Sequence, residues 1–164
     1  MSSYIGFLGE AATIYAPRAS KVLGVDHWHL DRGFYYYFYY NGKYSYVYIP
    51  EGYLTDGASI PRIFWNLLPP WGQYGAAAIV HDYLCEFLEI VVEGYATRIT
   101  RKEADQILCD AMESLEVPWY PREVIHAAVN GYRIVARVSK PTSLPLRRQL
   151  EAEWLKERKP KWQL

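Results

Sequence analysis

Aromatic and β-branched residues dominate residues 34 to 49 of the chain, and one short polar turn divides them. An aromatic run from Phe34 to Tyr40 is followed by Asn41-Gly42, and tyrosine then alternates with other residues from Tyr44 to Ile49. Such residues suit a pleated strand, and Asn-Gly is a favoured two-residue turn because both positions take a positive φ. The pattern predicts a β-hairpin that buries one face on helices and exposes tyrosine hydroxyls on the other.

The segment before this hairpin, residues 4 to 25, has no regular period and is interrupted by proline and glycine. We expect one or two further strands in it. His27 and His29 flank Trp28 on the same side of such a strand, because side chains alternate along a strand. Nothing else nearby resembles a set of metal ligands, so we expect both histidines to be exposed.

Three later stretches carry apolar residues at helical spacing. Residues 73 to 89 predict the first helix. The second is predicted to begin at Thr100, because Thr100 and Glu103 form a capping-box pattern, and to end before Pro118. The third is predicted to begin at Pro121. Strands that precede helices indicate an α+β domain, with an N-terminal antiparallel hairpin or small sheet packed on three or more C-terminal helices.

Residues 1 to 140 are predicted to form this single domain, and residues 141 to 164 a charged C-terminal helical arm. Leu150, Trp154 and Leu155 give the arm a narrow apolar stripe at helical spacing. The stripe is too small for a core of its own. The arm therefore either packs back on the domain or docks on a neighbouring subunit.

Composition narrows the class of protein. The chain has 164 residues and a formal net charge of zero, from 18 basic and 18 acidic residues, so no overall field attracts nucleic acid or an anionic membrane. No apolar stretch reaches the ~18 residues of a membrane span, and residues 1 to 9 lack the features of a secretory signal. The two cysteines are expected to stay reduced. The sequence predicts a soluble protein made in a cytoplasm.

Three short polar motifs interrupt the apolar sequence, and ionisable groups there indicate either a satisfied network or a working site. We call them the polar signatures: Thr55-Asp56-Gly57-Ala58-Ser59-Ile60-Pro61-Arg62, His81-Asp82-Tyr83-Leu84 and Arg101-Lys102-Glu103-Ala104-Asp105. His81 and Asp82 are adjacent on a helix and point about 100° apart, so they cannot both face one spot. Arg101 precedes Asp105 by four residues, the weaker order for a local ion pair, so their partners are expected elsewhere.

Each signature has a structural interpretation and a chemical one. Asp56 can accept backbone N–H groups in its turn, and His81 can be a satisfied core residue. Alternatively, one nitrogen and two carboxylates suit zinc or another divalent metal in a hydrolytic site. That hypothesis assigns Asp56, His81 and Asp105 as metal ligands, Asp82 and Arg101 as catalytic residues, and Arg62 and Ser59 as substrate-binding residues. Asp82 would either orient His81 or act as a base. A nucleophilic triad through Ser59 is not supported, because no Gly-x-Ser-x-Gly elbow surrounds it.

A second arrangement of ligands uses the cysteines. Cys85 follows His81 by four residues and Cys109 follows Asp105 by four, so two neighbouring helices could present a His-Cys-Asp-Cys cluster. No CxxC or HxxH spacing accompanies these residues, so the sequence gives this arrangement little weight.

The three polar signatures, in this order, resemble a phage-borne family called domain of unknown function 1353. The resemblance covers about residues 47 to 136. It implies an origin in a tailed phage or prophage and synthesis in a host bacterial cytoplasm. It brings no established activity with it.

Three functions are consistent with these observations. The leading hypothesis is a phage virion accessory protein of the tail, baseplate or neck, whose polar signatures form a structural network. Its partners would be other virion proteins or a second copy, contacted through the tyrosine-rich hairpin and the C-terminal arm. The rival is a metal-dependent hydrolase, with cell-wall peptide as one candidate substrate. An inhibitor of a host defence enzyme is the third.

Overall fold

Strands come before most of the helices in the computed structural model, which describes residues 3–56, 74–137, 140 and 144–158. The predicted α+β class is confirmed. The elements are β1 (Gly6–Leu8), β2 (Thr13–Tyr15), α1 (Pro17–Leu23), β3 (Trp28–Leu30), β4 (Phe34–Tyr40), β5 (Lys43–Ile49), β6 (Leu54–Thr55), α2 (Gly75–Phe87), β7 (Glu89–Val92), β8 (Tyr95–Arg98), α3 (Arg101–Ser114), α4 (Trp119–Ala136) and α5 (Pro145–Arg158).

The described strands form two antiparallel sheets. A five-stranded sheet has the order β1-β4-β5-β7-β8, and a three-stranded sheet has the order β2-β3-β6. The predicted hairpin is β4 and β5, in which Tyr40 pairs with Lys43 across the turn. Asn41 and Gly42 have φ values of 50° and 74°, the left-handed conformation that this turn requires.

The two faces of the hairpin differ as the sequence predicted. Phe34, Tyr36 and Phe38 point inward and are at most 3% exposed, within the main core. The other face carries three directly opposed tyrosine pairs, and we call these six residues the tyrosine face: Tyr35 with Tyr48, Tyr37 with Tyr46, and Tyr39 with Tyr44. Opposed aromatic side chains stabilise an antiparallel pair through cross-strand contact. The hairpin therefore stabilises the core on one side and shows phenolic groups on the other.

A second hairpin, β7 and β8, was not predicted. Leu88 has a φ of 49°, so the chain leaves α2 in a left-handed conformation and enters β7 at once. Glu93 and Gly94 then form the turn with φ values of 48° and 86°. Glu-Gly is a weaker turn signal than Asn-Gly, because glutamate adopts a positive φ less readily than asparagine.

The predicted capping box of α3 is confirmed. The Thr100 hydroxyl accepts from the Glu103 backbone N–H at 3.2 Å, and the Glu103 carboxylate accepts from the Thr100 backbone N–H at 2.7 Å. The hydroxyl of Tyr40 also donates to this carboxylate, at 2.7 Å. The cap therefore joins α3 to the end of β4.

Replacing Thr100 with alanine is expected to lower the free energy of unfolding by about 1 kcal/mol, because the Glu103 N–H then loses its side-chain acceptor. Thr100→Ser keeps the hydroxyl and should retain most of the stability. Urea unfolding of the two variants measures the difference. An equal loss in both would show that the hydroxyl contributes little.

α4 begins at Trp119, two residues before the predicted start at Pro121. Proline is tolerated in the first turn of a helix because the N–H groups there have no partner within the helix. Ile125 and Val129 are the buried residues of α4. In the part of the chain that the structure describes, no helix is both long enough and apolar enough to cross a membrane.

The helix of the predicted arm, α5, packs against the rest of the chain. Leu150 is buried with Leu54, Ala16 and Ala19 in a second, smaller core. Trp154 stacks on the His29 ring with centroids 4.4 Å apart. Of the two outcomes left open by the sequence, the structure shows contact with the same chain.

The expectation that His27 and His29 are exposed was wrong, because they are only 4% and 3% exposed. The Nδ1 atom of His29 lies 2.9 Å from the carbonyl oxygen of Gly52, and that of His27 lies 2.7 Å from the carbonyl of Val25. Burial lowers the pKa of both imidazoles. Nothing in the sequence indicates that α5 covers this strand.

Candidate functional site

His81 and Asp82 direct their side chains to different partners, as expected for neighbours on a helix. His81 contacts Asp105 of α3, whereas Asp82 contacts Thr55 of β6. Both are buried, with exposed fractions of 5% and 6%. α2 thus lies between two separate polar clusters.

The first cluster connects α2, α3 and α4, and we call it the Asp105 network. His81 Nε2 donates to Asp105 Oδ1 at 2.8 Å, and Arg133 Nε donates to Asp105 Oδ2 at 2.9 Å. Arg133 also donates to the side-chain oxygen of Asn130. The Asp105 side chain is only 2% exposed, so both of its oxygens are satisfied by protein groups.

The charge of Asp105 is stabilised by these partners. Burial alone raises the pKa of this carboxyl, but the hydrogen bonds from His81 and Arg133 and the charges of His81 and Arg101 outweigh burial and lower it. Asp105 is therefore a carboxylate at neutral pH. Asp105 lies on α3, and its hydrogen-bond partners lie on α2 and α4, as the order of Arg101 and Asp105 predicted.

Cys85 adjoins the Asp105 network, with Sγ 3.5 Å from His81 Nε2. Sγ is also 3.8 Å from Nδ1, so the ring nitrogen nearer to Cys85 is the one that Asp105 already contacts, whereas a catalytic triad uses the two nitrogens separately. Burial raises the pKa of the Cys85 thiol, and the charge of Arg101 only partly opposes this. Cys85 is therefore a protonated thiol and a poor nucleophile. No disulfide joins Cys85 and Cys109.

The second cluster surrounds Asp82. The Thr55 hydroxyl donates to Asp82 Oδ2 at 2.7 Å. Burial raises the pKa of Asp82 well above its usual range, the neighbouring Asp56 carboxyl raises it further, and Thr55 and Arg147 lower it only in part. Burial and the Asp56 carboxyl therefore favour the protonated form of Asp82. A protonated acid can donate a proton, but it does not suit the role of base that the hydrolase hypothesis gives it.

The structure brings together only some of the predicted site residues. His81 and Asp105 are in contact, and the charge of Arg101 acts on Asp105. Asp56 adjoins Asp82 in the other cluster. Ser59 and Arg62 lie outside the described residues. Among the residues that the structure describes, no three or more histidine, cysteine or acidic side chains form a group that could hold a metal ion.

Sequence reasoning missed a third polar cluster, which we call the Glu86 network. Glu86 is 3% exposed and accepts from Tyr53 Oη, Arg147 Nη1 and Arg148 Nη2, each at 2.8 Å. The two arginines belong to α5, so the network attaches that helix to α2. A signal for it was present in the sequence: a glutamate four residues after Asp82, on a helix whose neighbouring positions are apolar.

Glu151 extends this attachment to β6. Its Oε1 accepts from the Leu54 backbone N–H at 2.8 Å and from Arg148 at 2.9 Å. Burial raises the pKa of Glu151 to about 7, and these two partners oppose the shift only in part. Deprotonation of Glu151 near neutral pH is therefore unfavourable in the folded state.

This raised pKa predicts a pH dependence of stability. The unfolded chain loses the Glu151 proton near pH 4.5, while the folded protein keeps it to about pH 7. The free energy of unfolding should therefore fall as pH rises through this window, by roughly 3 kcal/mol at most. Glu151→Gln should remove that slope in urea unfolding measured from pH 4 to 8.

Glu153→Gln is the matched control, because Glu153 lies on the same helix and contacts Arg18 at 2.8 Å at a more exposed position. It should leave the slope unchanged. The same pH profile in wild type and Glu151→Gln would contradict the assignment to Glu151.

Comparison with known proteins identifies a matching family and a relative that is similar over part of its length. A family model described as "Protein of unknown function (DUF1353)" matches residues 28–129, so the match includes the tyrosine-rich hairpin that the motifs alone placed largely outside it. An uncharacterized protein of Sinorhizobium fredii, y4jT, is 48% identical over 40 residues. That segment is 23% of this chain and 12% of the relative. No solved structure matches the chain.

Proposed function

Because the chain belongs to the DUF1353 family, which is described only as of unknown function, we propose a function from its own side chains. It is a structural accessory component of a phage particle, in the tail, baseplate or neck. Its polar signatures hold helices and strands together, and its tyrosine face contacts other virion proteins. The phage assignment rests on the family resemblance of the polar signatures.

The observation that carries this proposal is that polar side chains from different signatures bind one another, His81 with Asp105 and Asp82 with Thr55. Asp105 has both oxygens occupied, by His81 and Arg133. Asp82 accepts from Thr55 at the opposite side of α2. Side chains that take part in a reaction need a face open to substrate, whereas these are buried and paired. The arrangement favours a structural role.

The tyrosine face supplies a surface for assembly. Its six phenol rings lie on two paired strands and carry no formal charge at neutral pH. Tyrosine gives large, rigid contact area with a hydrogen-bonding tip and is enriched at protein interfaces. Tyr39 and Tyr48 are 50% and 41% exposed, so rings at both ends of the face are accessible.

Mass spectrometry of purified particles tests the proposal. Particles made from the genome that encodes this chain should contain it at a fixed copy number. Replacing Tyr37 and Tyr46 with alanine together should reduce its incorporation, while Tyr95→Ala, 77% exposed on β8, should not. Absence of the protein from mature particles would contradict the proposal.

A metal-dependent hydrolase is the second candidate, and one observation favours it. Metal-binding histidines usually donate their other ring N–H to a carboxylate, as His81 Nε2 does to Asp105. The Nδ1 atom of His81 would then be the metal ligand, whereas Asp56 adjoins Asp82 in the other cluster. Bound zinc would activate a water molecule for attack on the substrate.

Elemental analysis of protein purified without a histidine tag separates the two candidates. The structural proposal predicts no stoichiometric zinc in wild type. Zinc that is present at one equivalent, lost in His81→Ala and kept in His126→Ala would support the hydrolase instead. His126 lies on α4 and is the matched control.

A further inference from the structure

A cleft opens beside the tyrosine face where two strands of the large sheet separate. β5 and β7 pair at two positions, Ser45 with Val92 and Tyr46 with Val91. Beyond these pairs the strands diverge and leave a cleft of about 350 Å³. Its aromatic and charged lining comes from β4, β5, α2 and β7: Tyr35, Tyr46, Tyr48, Tyr83, Phe87 and Glu89. This volume suits a small ligand.

The described side chains that line the cleft create a negative electrostatic potential. The faces of aromatic rings are negative, and five such rings line it. Among the described residues of the lining, Glu89 is the charged one, and none is a lysine, arginine or histidine. Glu89 is exposed and has no ion-pair partner within 4.0 Å among the described residues. Arg98 is opposite Glu89 in the strand register but does not line the cleft.

One ring of the cleft already contacts a cation. The Arg148 guanidinium carbon lies 4.8 Å from the centroid of Phe87. The Arg148 guanidinium is at ion-pair distance from Glu86, at 2.8 Å, and from Glu151, at 2.9 Å. Arg148 is therefore engaged by the Glu86 network and not by Glu89.

We propose that this cleft binds an alkylammonium cation, either a quaternary ammonium group or the ammonium group of a lysine side chain. Cations are attracted to the faces of tyrosine and phenylalanine rings, and a nearby carboxylate adds to that attraction. A neutral ligand of the same shape is attracted neither to the ring faces nor to the carboxylate in this way. Charge complementarity therefore selects a cation over a sugar or an alcohol. This site goes beyond the proposed role in a particle, and its test does not depend on that role.

Titration calorimetry of the full chain tests the cation site. The probes are choline chloride, its neutral isostere 3,3-dimethylbutan-1-ol, and Nα-acetyl-lysine methylamide. At least one of the two cations should bind, about tenfold or more tighter than the neutral alcohol. The cation that binds better identifies the source, a quaternary ammonium group or a lysine side chain.

Variants locate the site. Glu89→Gln should weaken binding of the cation about fivefold and leave binding of the alcohol unchanged. Glu93→Gln is the control, because Glu93 follows β7 and pairs with Lys43 outside the cleft. Tyr48→Leu should also weaken cation binding, and thermal unfolding checks that each variant is folded.

Three results would overturn the inference. The first is equal binding of choline and its neutral isostere, which would show an apolar cleft without charge selection. The second is no binding of either cation. The third is the same cation affinity in wild type, Glu89→Gln and Tyr48→Leu, which would place the cation elsewhere on the protein.

Discussion

Asp105→Ala is expected to lower the free energy of unfolding by about 3–5 kcal/mol, because it removes the shared acceptor of two buried donors. Asp105 is 1% exposed, and its two oxygens accept from His81 and Arg133. The Arg133 side chain is 19% exposed, so its charge would lose a partner in a largely desolvated position. Urea unfolding at pH 7 measures the loss.

The control for this variant is Asp110→Ala, on the same helix. Asp110 accepts from the exposed side chain of Gln106 at 3.0 Å, and its replacement should change stability by no more than about 0.5 kcal/mol.

A double-mutant cycle tests whether His81 and Asp105 act together. The losses in the free energy of unfolding for His81→Ala, Asp105→Ala and their double variant should be strongly non-additive. Additive losses would mean that the two side chains do not form one unit.

Asp105 also predicts how the protein responds to acid. Its pKa is lowered in the folded state, so the folded protein holds this proton less tightly than the unfolded chain does. Its stabilising contribution is complete above the unfolded pKa of about 3.9 and is lost as pH falls through the folded pKa. Asp105→Ala should therefore make stability less dependent on pH below about 4. Acid titration of both proteins by circular dichroism measures this change.

Glu86→Ala is expected to lower the free energy of unfolding by a similar amount, about 3–5 kcal/mol, through a different part of the fold. It leaves Arg147 and Arg148 without their buried carboxylate and Tyr53 without its acceptor. Because the two arginines belong to α5, the loss should be concentrated there. Hydrogen exchange of the α5 amides should rise far more than exchange in α3.

Two further variants test whether the faster hydrogen exchange of α5 in Glu86→Ala comes from the loss of the buried carboxylate. Glu157→Ala removes a carboxylate from α5 that is 70% exposed, and it should leave exchange in α5 nearly unchanged. Glu86→Gln keeps an acceptor for Tyr53 but removes the charge, so its effect should lie between those of wild type and Glu86→Ala. Unchanged exchange in α5 of Glu86→Ala would show that apolar contacts of Leu150 hold the helix without the ion pairs.

Features that depend on neighbouring residues were predictable from the sequence. The Asn41-Gly42 turn and the Thr100 capping box each depend on residues within a few positions of one another, and both are present. The divergence of His81 and Asp82 was also predictable, because helix geometry fixes the angle between neighbours. Local stereochemistry determines all three.

Features that depend on distant contacts were not predictable. Glu86 and Arg148 are 62 residues apart, and Leu54 and Glu151 are 97 residues apart. In the sequence α5 has a charged face that is typical of a solvated helix, and the partners of those charges lie on elements before it. The burial of His29 has the same origin, because Trp154 of α5 covers its ring.

The late position of α5 in the chain has a consequence during synthesis. At about 5–20 residues per second, a ribosome needs roughly 3 to 12 seconds to add the 62 residues that separate Glu86 from Arg148. Until then the nascent domain carries the Glu86 carboxylate and the Leu54 amide without their α5 partners. Messages that end before α5 should therefore yield products that cellular proteases remove, so only chains translated through α5 accumulate.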